Sequence, residues 1–329
     1  MMPTHDPTAP ARIFVAGATG VLGRRVVDRL VAGGHAVAGL SRSDANAAWL
    51  NAHGAEPRSG DLFDAAAMRA LTADCDTILH LATAIPTKPR TSVADWAAND
   101  RIRRDGTRAL VDAAVRNGCR RLVAQSVTFV YGDRGGAWVD EDTPAAGDLS
   151  PVVRSAVDLE TIVRSAAADR GLPGAVLRCG MFYAHDSAQT RDMLAAIRKG
   201  FLPIVGSGTA HWNIVHADDA ADAVCRAATA PSLASGEVLN ICDDEPVMVR
   251  DLVGFAARAL GGRTPRRVPA WLARLLLGRH AVDVLLASSR CRNARAKAAL
   301  GWQPRYATYR EGYGAVIARW RGDEGAERA

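Results

Sequence analysis

Lysine is nearly absent from this chain. Of 41 basic residues in 329, only Lys88, Lys199 and Lys297 are lysine, so chemistry that needs an ammonium group has few places to start. Aromatic residues are also scarce, at 5%. The arginines are mixed with acids rather than gathered into a basic run interleaved with rings. The net charge of +6 therefore reads as a solvated arginine-rich surface, and no nucleic-acid partner is expected. Local concentrations at Arg101, Arg103 and Arg104, and at Arg263, Arg266 and Arg267, are placed at helix ends or on exposed faces. No apolar run approaches the length of a membrane span, so no membrane partner is expected. Met1–Pro10 holds three prolines and no apolar core of a signal peptide. It is expected to be a disordered tail, and the protein cytoplasmic. The six cysteines form no C-x-x-C pair. They are expected to be free thiols of a reducing compartment, with no metal site.

What is present starts with Arg12-Ile-Phe-Val-Ala-Gly-Ala-Thr-Gly-Val-Leu-Gly23. A short apolar run leads into Gly17, Gly20 and Gly23, followed by an amphipathic helix pattern at Val21, Leu22, Val26, Val27, Leu30 and Val31. Strand, glycine turn and helix in this order bind the pyrophosphate of a dinucleotide. The first glycine permits the turn, the second lets the backbone approach the phosphates and the third lets helix and strand pack closely. The free N–H groups of the helix start favour the negative charge.

Strand and helix signals then alternate. Strands are expected at Ala36–Leu40, in a short stretch before Gly60-Asp61, and at Thr77–Leu81, Arg121–Ser126 and Ala175–Cys179, with a helix from Asp105 to Asn117 ended by Gly118. This predicts an α/β fold with a doubly wound parallel Rossmann sheet over residues 11–180. Residues 181–212 and 242–329 form a smaller, mostly helical substrate lobe, and 213–241 partly return to the sheet. Helix is expected at Arg191–Gly200, and Asn213–His216 and Glu237–Ile241 as strands. Asp218 is expected to cap a helix running to Ala228.

The chain resembles an extended short-chain dehydrogenase/reductase of the NAD-dependent epimerase/dehydratase type. The matching pieces are Gly17-x-x-Gly20-x-x-Gly23, Gly60-Asp61-Leu62, His80-Leu81-Ala82, Asp105-Gly106-Thr107, Val130-Tyr131-Gly132, Phe182-Tyr183, Val215-His216-Ala217-Asp218-Asp219 and Leu300-Gly301-Trp302-x-Pro304. The resemblance implies a nicotinamide dinucleotide held by Gly17, Thr19, Gly20, Val21, Leu22, Gly23, Asp61, Leu62, Leu81, Ala82 and Thr83. Asp61 either contacts the adenine or makes a turn or helix cap. His80 either lies under the cofactor or is a core histidine. A homodimer through the helices near Asp105–Asn117 and Val152–Ala168 follows by analogy only.

Cofactor choice has a physical reading. An acid at the end of the second strand would accept from the ribose 2′-OH and repel a 2′-phosphate. Ser41 and Arg42 stand there instead, and Arg42 can clamp a phosphate. NADP is expected over NAD, against the alternative of Arg42 as a free surface arginine.

The catalytic residues of the family are missing. A tyrosine with a lysine four residues later shares one helix face, and the lysine lowers the phenol pKa. The alignment puts Val152 and Ala156 in those places and Val127 where a serine or threonine is usual. The residues four before the lysines are Ala84, Ala195 and Asn293, so no Tyr-x-x-x-Lys exists. Trp212 stands where members acting on nucleotide sugars often carry an arginine. It either stacks on an apolar ligand or packs the lobe. Candidate replacements are Tyr183, His185 beside Asp186, Ser126 and Thr128 for chemistry, with Arg154 polarising a carbonyl and Trp212, Tyr131 and Met181 touching a small-molecule substrate. Three readings follow: an oxidoreductase or isomerase on a small apolar carbonyl or alcohol with unconventional acid–base residues, an NADP(H) sensor without turnover, or a non-redox cyclase or lyase. The acidic pair of sugar dehydratases reads Thr128-Phe129 here, against that last mechanism.

Overall fold

Ile13, Phe14, Val15 and Ala16 are all fully buried, the mark of a strand covered on both faces. In the computed structural model, which describes residues 10–88, 90–230, 233–263 and 265–326, this strand is the middle of a parallel sheet. The strands are β1 (Arg12–Ala16), β2 (Ala36–Ser41), β3 (Glu56–Ser59), β4 (Thr77–His80), β5 (Arg121–Val127), β6 (Gly174–Cys179) and β7 (Glu237–Ile241). Their order across the sheet is β7-β6-β5-β4-β1-β2-β3. The direction of winding reverses between β1 and β4, where Ala16 lies opposite His80. A crevice opens there at the carboxyl ends of the strands.

Helices cover both faces. One face carries α1 (Val21–Ala32) and α8 (Ala217–Thr229) over Val15, Leu79, Val123 and Leu177. The other carries α3 (Ala65–Leu71), α5 (Thr107–Arg116) and α6 (Pro151–Arg170) over Phe14, Ile78, Leu122 and Val176. The helix expected to begin at Asp105 starts earlier, as α4 (Ala97–Arg101), and passes through a π-helical turn at Ile102–Gly106 into α5. Gly106 lets the end of this turn pack closely on Leu62, since a Cβ there would meet that side chain at 2.8 Å.

Within residues 213–241, Ile214–His216 stays out of the main sheet and pairs in parallel with Met181–Tyr183, whereas β7 joins the sheet beside β6 along its whole length. One feature differs from the sequence reading. The segment after α12 (Ala294–Leu300) packs on the main core rather than on the lobe. Trp302 is fully buried there, and its indole N–H donates to the Asp219 carbonyl at 3.0 Å. The lobe core gathers α7 (Ala188–Arg198), α9 (Val249–Ala259) and α13 (Tyr309–Ala326). The tail expected at Met1–Pro10 lies outside the described residues apart from Pro10. Among the described residues no helix is long and apolar enough to cross a membrane.

Asp218 does not cap α8. The His216 imidazole does, accepting from the Asp218 N–H at 3.2 Å. That leaves the Asp218 carboxylate to pair with Arg25 of α1 at 2.6 Å, while Asp219 accepts from the Tyr306 N–H at 3.1 Å.

Behind β5 and β6 lies a buried polar network. Arg178 holds Glu160 at 2.7 Å and donates to the Tyr131 hydroxyl at 2.8 Å. Ser126 donates to Glu160 at 2.6 Å, and Tyr131 donates to Asn240 at 2.9 Å. Glu160→Ala is expected to cost roughly 3–5 kcal/mol by leaving Arg178 buried and unpaired. Urea denaturation reads this as a lower midpoint, and Glu160→Leu with Arg178→Met should recover most of it. A single variant as stable as the parent would contradict this.

Candidate functional site

The glycine bend sits at the crevice. Gly17 has φ +88°, and a Cβ there would lie 2.5 Å from the Ala82 nitrogen, so the bend rests directly on the backbone that follows β4. Gly23 packs as closely, since its Cβ would run into the Gly17 carbonyl. Gly20 differs. It is the N-cap of α1, has no side-chain cap, and the space over its Cβ position is open apart from the Gly17 oxygen at 3.4 Å. The first N–H groups of α1 thus face outward without a partner side chain, a cradle that fits a pyrophosphate. Val21 is exposed, whereas the Leu22 side chain points into the core, so Leu22 can offer only its backbone.

At the end of β2, Ser41 is buried and its hydroxyl donates to the Ser43 carbonyl at 2.9 Å. It therefore serves the turn, not a ligand, as a donor. Arg42 is exposed and makes no ion pair or hydrogen bond among the described residues. A second arginine, missed in the sequence, reaches the ring of Trp49 in the helix that follows β2. Arg24 donates to the Thr19 carbonyl at 3.0 Å and lies 4.9 Å over the Trp49 ring. Asp61 takes the turn role, accepting from the Phe63 N–H at 3.0 Å, and Asp64 caps α3. Asp61 remains exposed and Leu62 is buried beside it. Along the crevice, Leu81 is buried, Ala82 half-buried and Thr83 exposed.

Most of the expected acid–base residues are committed elsewhere. Tyr183 is buried, donates to Asp243 at 2.9 Å and stacks on Tyr313 at 4.5 Å. Gly312 leaves room for its hydroxyl. Burial, with the Asp243 charge beside it, drives the Tyr183 pKa far up, so a proton-shuttling role is withdrawn. Tyr131 and Ser126 belong to the buried network and do not line the crevice. Burial drives the Tyr131 pKa up as well. His185 and Asp186 make no hydrogen bond among the described residues: His185 Nδ1 lies 4.0 Å from Asp186, at the edge of ion-pair distance, and Asp186 is held by Arg25 at 2.5 Å.

Thr128 is buried and its hydroxyl has no partner among the described residues. Val127 is half-buried, Val152 and Ala156 are buried, and Arg154 is exposed. Trp212 donates through its indole N–H to the Leu285 carbonyl at 3.1 Å and packs on the lobe core with Met181. The residues the sequence missed are Arg24, Asp243 and Arg103. Burial pushes the Asp243 carboxyl well above the usual range. Beside Phe129 and Ser150 a cavity of about 690 Å³ opens against Arg274, Arg279 and His280. No cluster of three or more His, Cys, Asp or Glu residues that could hold a metal occurs among the described residues.

The profile of the NAD dependent epimerase/dehydratase family matches residues 13–242. The chain belongs to this family. It is 35% identical over 312 residues, 92% of its own length and 99% of the relative's, to a 3-diazoavenalumate denitrifying reductase of Streptomyces sp. It is 28% identical over 253 residues, 76% of its length and 73% of the relative's, to a 4-hydroxy-2-methyl-3-oxo-4-farnesyl-3,4-dihydroquinoline-1-oxide ketoreductase of Stigmatella aurantiaca. Among solved structures, a human epimerase family protein with NADPH superposes with TM-score 0.78 at 21% identity, covering 93% of this chain and 99% of that one. A dTDP-glucose 4,6-dehydratase of Streptomyces venezuelae with NAD gives TM-score 0.77 at 22% identity, covering 95% and 98%. The doubly wound α/β fold of this family member is the one these structures share.

His80, at the end of β4, gives this site a pH signature. Burial pushes its pKa down to about 4, and the charge of Arg103 acts in the same direction. The folded protein therefore holds His80 neutral, while the unfolded chain takes up a proton below about 6.5. Relative to His80→Leu, the parent should lose roughly 3 kcal/mol as pH falls from 6.5 towards 4. Urea midpoints of the two proteins across that range check this, and parallel curves would contradict it.

Proposed function

We propose that this protein is an NADP(H)-dependent reductase acting where no proton has to be given to the substrate, on the diazonium carbon of an aryl acid. The observation behind this reading is the crevice itself. Val127, Val152 and Ala156 stand at the places of the usual hydroxyl, phenol and ammonium, and Tyr131, Tyr183 and Ser126 are locked into buried hydrogen bonds. Reducing a carbonyl makes an alkoxide, which needs a proton donor in reach. When bound, a reduced nicotinamide supplies a hydride, and a hydride that replaces the diazonium group forms a C–H bond and expels N2 with no proton needed. The aryl class is chosen because alkyl diazonium ions lose N2 unaided. The 35% identical relative, named for a diazo substrate and for denitrifying reduction, agrees with this chemistry.

The chain's own part is to bind and orient. Gly17, Gly20 and Gly23 with the start of α1 cradle the pyrophosphate, and Leu81, Ala82 and Thr83 floor the crevice. Asp61 borders the adenosine end. Arg42, free of partners, and Arg24, anchored to Thr19 and Trp49, form a cationic pair for a 2′-phosphate, which favours NADP over NAD. Thr128 is the one free hydroxyl at the end of β5. Carbonyl reduction assisted by it, in line with the ketoreductase relative, is the second reading.

The test is NADPH oxidation against an aryl diazonium carboxylate and a ketone panel, with released gas measured. One N2 per NADPH from the diazonium compound, with ketones inert, is expected. Ketone turnover that Thr128→Val abolishes would replace this proposal with the second reading, and tight NADPH binding without turnover would make the protein a sensor. Arg42→Ala and Arg24→Ala are each expected to weaken NADPH about tenfold and NADH little. Equal loss for both cofactors, followed by calorimetry, would overturn the NADP assignment.

A further inference from the structure

Buried polar atoms without a partner are few among the described residues, and they are not scattered. Nδ2 of Asn99, Oδ1 of Asp100, Nε of Arg103 and Oγ of Ser155 make no hydrogen bond among the described residues, and Asp243 Oδ1 stands apart from them; the His80 ring lies against the Ile102 backbone. His80 ends β4, immediately before the Leu81-Ala82 floor. Asn99, Asp100 and Arg103 lie on α4 and its π-helical turn, and Ser155 stands beside Ala156 on α6. These elements pack on one another on the sheet face that carries α5 and α6. Such clusters mark places where another molecule completes the hydrogen bonding.

Arg103 is the informative member. It is 4% exposed and makes no ion pair or side-chain hydrogen bond. The two acids whose charges it feels are Asp100 and Glu160. Asp100 lies 3.9 Å from Arg104, and Glu160 is held by Arg178 at 2.7 Å. A buried, uncompensated guanidinium destabilises a fold, so packing does not explain its presence. Burial lowers its pKa only to about 10, and it stays charged at neutral pH. It sits on a π-helical turn, a distortion often found at functional sites, and its carbonyl is pinned by the Thr107 hydroxyl at 2.6 Å.

We propose that Arg103 reaches from this neighbouring helix to the position vacated at Ala156 and hydrogen-bonds the nicotinamide ribose of the bound cofactor. Its five N–H donors suit two adjacent hydroxyl oxygens. Glu160, four residues after Ala156 on α6, is one of the two acids whose charge Arg103 feels, and the turn that carries Arg103 packs on α6. This rests on the reading of the crevice as a nicotinamide-dinucleotide site.

The experiment compares full-length parent, Arg103→Met and Arg103→Lys by calorimetry against NADPH and against adenosine 2′,5′-bisphosphate, which lacks the nicotinamide ribose. Melting of each apoprotein is recorded as well. Arg103→Met is expected to bind NADPH at least about tenfold more weakly and the bisphosphate within about twofold of the parent, with an unchanged or raised Tm. Arg103→Lys should recover part of the NADPH affinity. Unchanged NADPH affinity in Arg103→Met would overturn the proposal, as would a parallel loss for both ligands together with a fall in Tm. A parent that binds neither ligand would instead overturn the cofactor reading beneath it.

Discussion

At Gly17 the chain turns so tightly against the backbone of Leu81 and Ala82 that a single Cβ would not fit. The rest of the site depends on that contact. It sets the start of α1 over the point where the sheet reverses its winding, and it leaves Gly20 open above the crevice. α1 also carries Arg24 over the ring of Trp49, and Arg25 joins Asp186 at 2.5 Å and Asp218 at 2.6 Å. One helix thus connects the glycine bend, the helix that follows β2 and the segment that leads into the lobe.

The second constraint is what α6 does not provide. No tyrosine stands four residues before a lysine in this sequence, and α6 carries Val152 and Ala156 where the resemblance would put that pair. The other phenols near the strand ends do not compensate, because Tyr131 and Tyr183 are fixed by Arg178, Asn240 and Asp243 in sealed surroundings. On the proposed reading the dinucleotide cradle keeps only the Thr128 hydroxyl as a donor near its reactive end, which suits chemistry in which the hydride is the whole demand on the enzyme.

The parts legible in the sequence were those written in local pattern. Glycine spacing, runs such as Ile13-Phe-Val-Ala16 and the alternation of strand and helix marked all seven strands of the sheet and the glycine bend. Long-range pairing left no local mark. Ser126 looked like a candidate hydroxyl until Glu160 was found 34 residues away, and Tyr183 looked like an acid until Asp243 was found 60 residues away. His216 as a cap, Trp302 in the main core and the π-helical turn at Ile102–Gly106 are also products of packing. The arginine run around Arg103 was visible, but which of its members turns inward is decided by α6 and β4.

The most direct measurement follows the hydrogen itself. With NADPH deuterated at the nicotinamide C4 and an aryl diazonium acid in ordinary water, the account predicts deuterium at the carbon that lost N2, one atom per turnover. Product carrying only solvent hydrogen at that carbon, with the deuterium still in the cofactor, would contradict it.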